Sequence, residues 1–170
     1  MRPLFETVTD LCGQADVLGR RAHGVIEAAE GRFRRVVLRP LPTLVSLAEV
    51  LLLGKWYHRR RPADRCLLYY DQPCRFRNFL VVKYVVSGRG TTYGTLGRTL
   101  DVLDEIARQK KTDALLCHLS NGRITPRLMT RRGWEPHCPS GGRGHYIKRF
   151  YGEYPAKPEW ITVAAEPAAV

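Results

Sequence analysis

Two hydrophobic periods alternate along this chain, and the points where one gives way to the other mark its elements. The clearest such point lies between Phe79 and Lys111. Residues 79–86 read Phe-Leu-Val-Val-Lys-Tyr-Val-Val, nearly continuous β-branched and aromatic sequence, which predicts a strand buried on both faces. Leu96, Leu100, Leu103 and Ile106 then recur at helical spacing and predict one apolar stripe. Between the two patterns, residues 87–98 are rich in glycine, threonine and arginine and read as a loop. A strand, such a loop and a helix N-terminus in succession bring unpaired N–H groups together, which suits an anion.

The same reading extends over the rest of the chain. Residues 1–32 are predicted mostly helical, with Val17, Leu18, Val25 and Ile26 on one face and Gly31 as the stop. Arg34–Leu38 is a short β-branched strand closed by Pro40 and Pro42. Thr43 caps a predicted helix running to about Tyr57, dense in Leu44, Leu47, Val50 and Leu51. Cys66–Tyr70 is a strand, and Asp71, Gln72 and Pro73 turn the chain. After the central unit come a strand over 112–119, then a helix from near Arg123 to Arg131 or Arg132. Ser120 or Asn121 is its predicted cap, and Gly133 stops it. Short strands follow at 134–137 and 145–151, separated by a glycine-rich turn, and from Glu153 the prolines and alanines predict an irregular tail.

Composition narrows the setting. A chain of 170 residues that is 44% hydrophobic can bury a core as one domain without disulfides or metal. Its net charge of +12 favours an anionic partner: a phosphorylated cofactor, a nucleic acid or an acidic surface. Lys55, Arg59, Arg60, Arg61 and Arg65, with Trp56 and Tyr57 among them, form a basic aromatic cluster that reads as a helix end or as a phosphate contact. Cys12, Cys66, Cys74, Cys117 and Cys138 form no CxxC pair, and with no secretory leader they predict reduced thiols and a cytoplasmic location. Cys117–His118 and His137–Cys138 match no usual zinc spacing, so no metal is expected. The longest apolar run, Leu44–Leu53, is too short to span a bilayer.

The order strand, glycine loop, helix, strand, short helix, Gly-aromatic and terminal strand resembles the C-terminal half of the GNAT-like acyl-CoA N-acyltransferases over residues 79–152. The fold that the resemblance implies is α/β (α+β), a mixed and mainly antiparallel sheet flanked by helices and splayed at its central strands. Residues 1–32 would be a helical extension, 33–152 the domain and 153–170 a tail. The resemblance implies a bound acetyl-CoA or other acyl-CoA, its diphosphate held by the loop and its pantetheine arm in the splay. Gly94 falls at the first glycine of the family's Arg/Gln-x-x-Gly-x-Gly/Ala motif, Thr91 at its Arg/Gln and Leu96 at its last residue, with Gly97 as a shifted alternative. Arg89 and Arg98 flank it as phosphate ligands, and Thr92, Thr95 and Asn121 complete the binding set. Arg132-Gly133-Trp134-Glu135 matches the family's Leu-Gly-Phe-Glu ending, whereas Met129 replaces its proton-donating tyrosine.

Acyl transfer to an amine needs an oxyanion donor, a base for the amine proton and an acid for the leaving thiolate. By analogy with the family, a main-chain N–H near Val85 or Val86 would be the donor. The central strand carries no carboxylate, so His118 is the candidate base and Tyr84 or Tyr93 the candidate acid. Asp101, Asp104 and Glu105 read as a solvated helix face, and Lys148 and Arg149 as charges on an edge strand. Three functions stay open: an N-acyltransferase with an unidentified amine acceptor, a non-catalytic binding module of the same fold, and a basic nucleic-acid-binding protein.

Overall fold

Strand and hairpin patterns throughout the chain converge on one sheet. The structure, a computed structural model, describes residues 4–42, 64–119, 124–137 and 144–162. In chain order the elements are β1 (Glu6–Val8), α1 (Ala15–Arg20), β2 (His23–Ala29), β3 (Arg32–Arg39), β4 (Arg65–Asp71), β5 (Phe79–Ser87), α2 (Tyr93–Gln109), β6 (Ala114–His118), α3 (Pro126–Arg131), β7 (Glu135–Pro136), β8 (His145–Arg149) and α4 (Glu159–Thr162). The eight strands lie in the order β1-β3-β2-β4-β5-β6-β8-β7. Every neighbouring pair is antiparallel except β5 and β6. That exception follows from the connection: a parallel pair needs a crossover, and α2 supplies it. The result is a mixed, mostly antiparallel α/β protein.

Residues 1–32 are where the sequence reading fails most clearly. The helix expected there is confined to α1, and β2 lies inside the sheet between β3 and β4. Val17 and Val25, like Leu18 and Ile26, are eight residues apart, a spacing that fits two helical turns and strand alternation equally well. The β2–β3 turn decides between them. Glu30 and Gly31 both have positive φ, 55° and 70°, as a two-residue hairpin requires, so Gly31 turns a hairpin instead of ending a helix. Ile26 then faces the core at 0% exposure while Val25 on the opposite face stays half-buried.

The core forms where α2 lies on the sheet. Val102, Leu103 and Ile106 of the helix and Ile26, Val36, Leu38, Leu68, Tyr70, Leu80 and Leu115 of the strands are fully buried together. Gly24 is needed here, because a Cβ on it would stand 2.6 Å from the Tyr70 hydroxyl. Met129 and Trp134 extend the same core from α3 and the residues after it. The cap of α3 is Thr125, whose hydroxyl accepts from the Leu128 N–H, with Pro126 in the first turn. The predicted caps Ser120 and Asn121 lie outside the described residues, as do the helix expected from Thr43 and the Arg59–Arg61 cluster. Gly133, at φ 79°, ends α3 as predicted.

Two charged patterns were misread for one reason: more chain lies over α2 than its sequence reveals. Asp101 pairs with Arg132 at 2.7 Å, and Asp104 with Lys148 at 2.7 Å. Glu105 is 2% exposed and pairs with Arg108 and, at 2.9 Å, with Lys157. None of the three is a solvated carboxylate. Burial pushes the Asp104 carboxyl up against the pull of Lys148. Lys148 is itself buried, because β8 sits between β6 and β7 and is no edge strand. Residues 154–162 are equally attached. Tyr154 donates to the Thr112 carbonyl at 2.9 Å, and Ile161 is 5% exposed.

Candidate functional site

The place to look for a site is along β5, where its two neighbours treat it differently. Toward β4, the ladder runs from Asp71↔Val81 to Cys66↔Ser87. Toward β6 it covers only Phe79↔Ala114 to Val82↔Cys117. The β4 ladder also skips a residue here: Tyr70 pairs with Val82 and Tyr69 with Tyr84, leaving Lys83 as an extra residue in β5. Such a bulge bends its strand and sharpens the local twist. Beyond Cys117, β6 keeps only its β8 register, ending at His118↔His145.

Past the bulge, Tyr84 shares a face with Tyr69, and their rings meet edge-on at 5.6 Å. Val85 packs against the core and Val86 is half-buried. Successive residues in a strand turn their N–H groups to opposite sides, so one of these two valines directs its amide away from β4. His118, at the end of β6, is exposed and lies against His145, ring centres 4.4 Å apart. The end of the β5–β6 ladder therefore has Tyr84, Val85 and Val86 on one strand and His118 on the other.

At the C-terminal end of β5 the structure corrects the expected loop. Helix α2 begins at Tyr93, so the loop is only Gly88 to Thr92, and Gly94, Thr95, Leu96, Gly97 and Arg98 belong to the helix. Thr95, Leu96 and Gly97 are buried. Arg98 donates to the Gly31 carbonyl at 3.0 Å and lies 4.3 Å over the Trp160 ring. Such residues face the protein and are not arranged around a diphosphate. Leu96 predicted this in part, since a leucine at helical spacing belongs to a stripe. Of the sequence-derived set, Arg89, Thr91, Thr92, Tyr93 and Gly94 stay near the helix start. Arg89, Thr92, Gly94 and Tyr93 are exposed, whereas the Thr91 hydroxyl donates to the Arg65 carbonyl at 2.7 Å. Asn121 lies outside the described residues.

The helix start already holds a carboxylate. Asp64 accepts from the Thr92 N–H at 2.9 Å and from the Thr92 hydroxyl at 3.0 Å. Thr92 caps the helix by accepting from the Thr95 N–H, and the Thr95 hydroxyl accepts from the Gly31 N–H at 2.8 Å. Burial works to raise the Asp64 carboxyl, but donation from Thr92 and Thr95 outweighs it and the net direction is down. Sequence spacing offered no sign of this residue, which is 28 positions from its partner.

Two buried thiols and one histidine are inert or engaged. Burial pushes the Cys66 thiol up to about 11 and the Cys117 thiol to about 12, which keeps both protonated. His23 Nδ1 and Asp71 Oδ1 are 3.0 Å apart, a pair formed across β2 and β4 that the sequence reading missed because 48 residues separate them. Among the described residues, no group of three or more His, Cys, Asp or Glu side chains is arranged to hold a metal ion. No described helix is long and apolar enough to cross a membrane. Comparison with protein-family models, with curated proteins and with solved structures finds no match to the chain.

Proposed function

We propose that the chain is a GNAT-like, acyl-CoA-dependent N-acyltransferase in which β5 and β6 splay to admit the thioester arm. One observation carries the reading: the bulge at Lys83, the end of the β5–β6 ladder and the start of α2 follow one another within a dozen residues of one strand. A main-chain amide of Val85 or Val86 would meet the thioester oxygen there. An acceptor amine attacks the carbonyl carbon, the C–S bond breaks, His118 takes the amine's proton and Tyr84 protonates the leaving thiolate. Tyr93, on the first turn of α2, is the alternative acid. Arg89 and the amides of the Gly88–Thr92 loop would meet the diphosphate. The setting on this reading is the reducing cytoplasm, in keeping with the unpaired thiols of Cys66 and Cys117.

The Asp64 carboxylate on Thr92 favours a second reading, a binding module of the same fold without activity. A diphosphate approaching that helix start meets a negative charge already satisfied by the donors it needs. Titration with coenzyme A, acetyl-CoA and a long-chain acyl-CoA tests both. Saturable binding together with acyl transfer to an amine, lost in His118→Gln, supports the transferase. Binding without transfer to any amine supports the module. No binding to any of the three removes the transferase and leaves a module for another ligand or partner, or a basic nucleic-acid-binding protein, the latter to be checked by retardation of RNA and DNA at low salt.

A further inference from the structure

His118 and His145 are directly opposite each other on β6 and β8. The Leu119 N–H donates to the Gly144 carbonyl at 2.8 Å, so the hydrogen-bonded position is the next one along. The histidines thus occupy the non-hydrogen-bonded kind of pair, where side chains stand closest. Their ring centres are 4.4 Å apart with planes tilted by 41°. Both residues are exposed, and among the described residues neither ring makes a hydrogen bond. Gly144, at φ 91°, is required by the backbone: a Cβ there would stand 2.5 Å from the Leu119 carbonyl oxygen and in ordinary contact, 3.6 Å, with His118 Nε2.

We propose that His118 and His145 form a two-imidazole chelating site for a borderline divalent cation of the Zn²⁺ and Ni²⁺ class. Neutral imidazole is the ligand such ions prefer, and two exposed rings with no hydrogen bond among the described residues have lone pairs to give. With metal–nitrogen bonds of about 2.0–2.1 Å, imidazoles in neighbouring coordination positions have ring centres roughly 4.5–5 Å apart. The observed separation is close enough that small side-chain rotations bring both nitrogens onto one ion. Water fills the other positions. His137 continues the row, its N–H donating to the His145 carbonyl at 2.8 Å. It stands on the far side of β8 from His118, about two strand spacings or ~9–10 Å away, and no three such side chains are arranged around one point among the described residues. The site is therefore a pair and not a trio. An ion held here takes the lone pair that His118 needs as a base, so it would inhibit acyl transfer, although the site itself does not depend on that reading.

The test is titration of the full, tag-free chain with Ni²⁺ and with Zn²⁺, followed by calorimetry and by thermal stability. Expected is saturable binding of one ion per chain with a rise in Tm, both lost in His118→Gln and in His145→Gln and both kept in His137→Gln. Cu²⁺ added below one equivalent should broaden the imidazole resonances of His118 and His145 before all others. Exposed Cys12 and Cys74 are the competing ligands. Binding that persists in both variants, binding that vanishes when those thiols are alkylated, broadening centred elsewhere, or no saturable binding at all would each overturn the proposal.

Discussion

The two ends of β5 are built from the same kinds of residue and serve different ends. Phe79 to Val82 all pair with β6, Val81 and Val82 pair with β4 as well, and Leu80 is fully buried. From Tyr84 to Ser87 it keeps only its β4 register, and its side chains are half-buried. One extra residue, Lys83, separates them. Hydrophobicity does not make the difference, since Val81, Val82, Val85 and Val86 are the same amino acid. Pairing does, and pairing is set by a bulge and by the short length of β6. The closed end resembles any sheet interior, while the other end, among the described residues, is in a ladder on its β4 side alone.

The sharpest way to press that contrast is to remove packing from each end. Leu80→Ala should cost about 2–5 kcal/mol in urea unfolding, because the cavity it leaves is fully enclosed. Val86→Ala should cost about 1 kcal/mol or less, since half-exposed side chains have less transfer energy to lose. Equal losses would erase the distinction. Next in size is Thr92→Ala, which removes the helix cap beyond the open end and should cost about 1 kcal/mol. It also takes the hydroxyl donor from Asp64, which keeps the main-chain N–H of residue 92. That carboxyl is held below its ordinary value in the folded chain, so its contribution is present above the unfolded value of 3.8 and is lost as pH falls through the folded one. The loss of stability in acid should accordingly be shallower in Thr92→Ala than in the native chain.

Deleting Lys83 should change stability least and function most. The register on either side already fits a regular ladder, so the deletion straightens β5 and lets its pairing with β6 extend. Amides beyond Val82 should gain protection from hydrogen exchange and, on the function proposed above, acyl-CoA uptake should fall. If exchange there does not slow, the bulge is not what parts the strands. At the closed end the expected effect is confined to alkaline pH. Lys110 donates to the Arg21 carbonyl at 2.7 Å and to Gln72 at 3.2 Å, and burial lowers its ammonium to about 8 from 10.5. Below about 8 the folded chain bears the cost of that buried charge, and the cost fades as pH rises toward 10.5. Cys66 and Cys117, raised by burial, act in the opposite sense, so the measurement is a difference: Lys110→Met should lack the relative gain that the native chain shows over this window.

Local signals account for what the sequence revealed. β5, α2 and the Gly133 stop were readable because each is defined by residues within a few positions: a β-branched run, a 3.6-residue stripe, a glycine at positive φ. The β2 strand was missed because an eight-residue spacing serves helix and strand alike. The binding loop was drawn too long because Gly94 and Gly97 read as loop residues, yet α2 starts before both. Gly97 sits in the helix where the Arg132 guanidinium closes over it, a packing reason for glycine that only tertiary contact supplies. Asp64, His145 and Lys157 act on partners 28, 27 and 52 positions away, beyond any window of sequence pattern. His118 alone among the predicted catalytic residues was found by its position at a strand end, which the structure retains.

The ion pairs of α2 bear on how the chain leaves the ribosome. Its carboxylates Asp101, Asp104 and Glu105 emerge well before Arg132, Lys148 and Lys157, the cations they meet in the finished protein. While those residues are still being synthesised, the helix carries three acidic groups on a surface that the C-terminal segments will later cover. Translation runs at about 5–20 residues per second, so the interval lasts seconds, long compared with helix formation. A nascent chain in that interval is a sheet and helix with an acidic, uncovered flank. Nonsense truncation before Arg132 would remove all three of those cations permanently, which makes such products strong substrates for quality control.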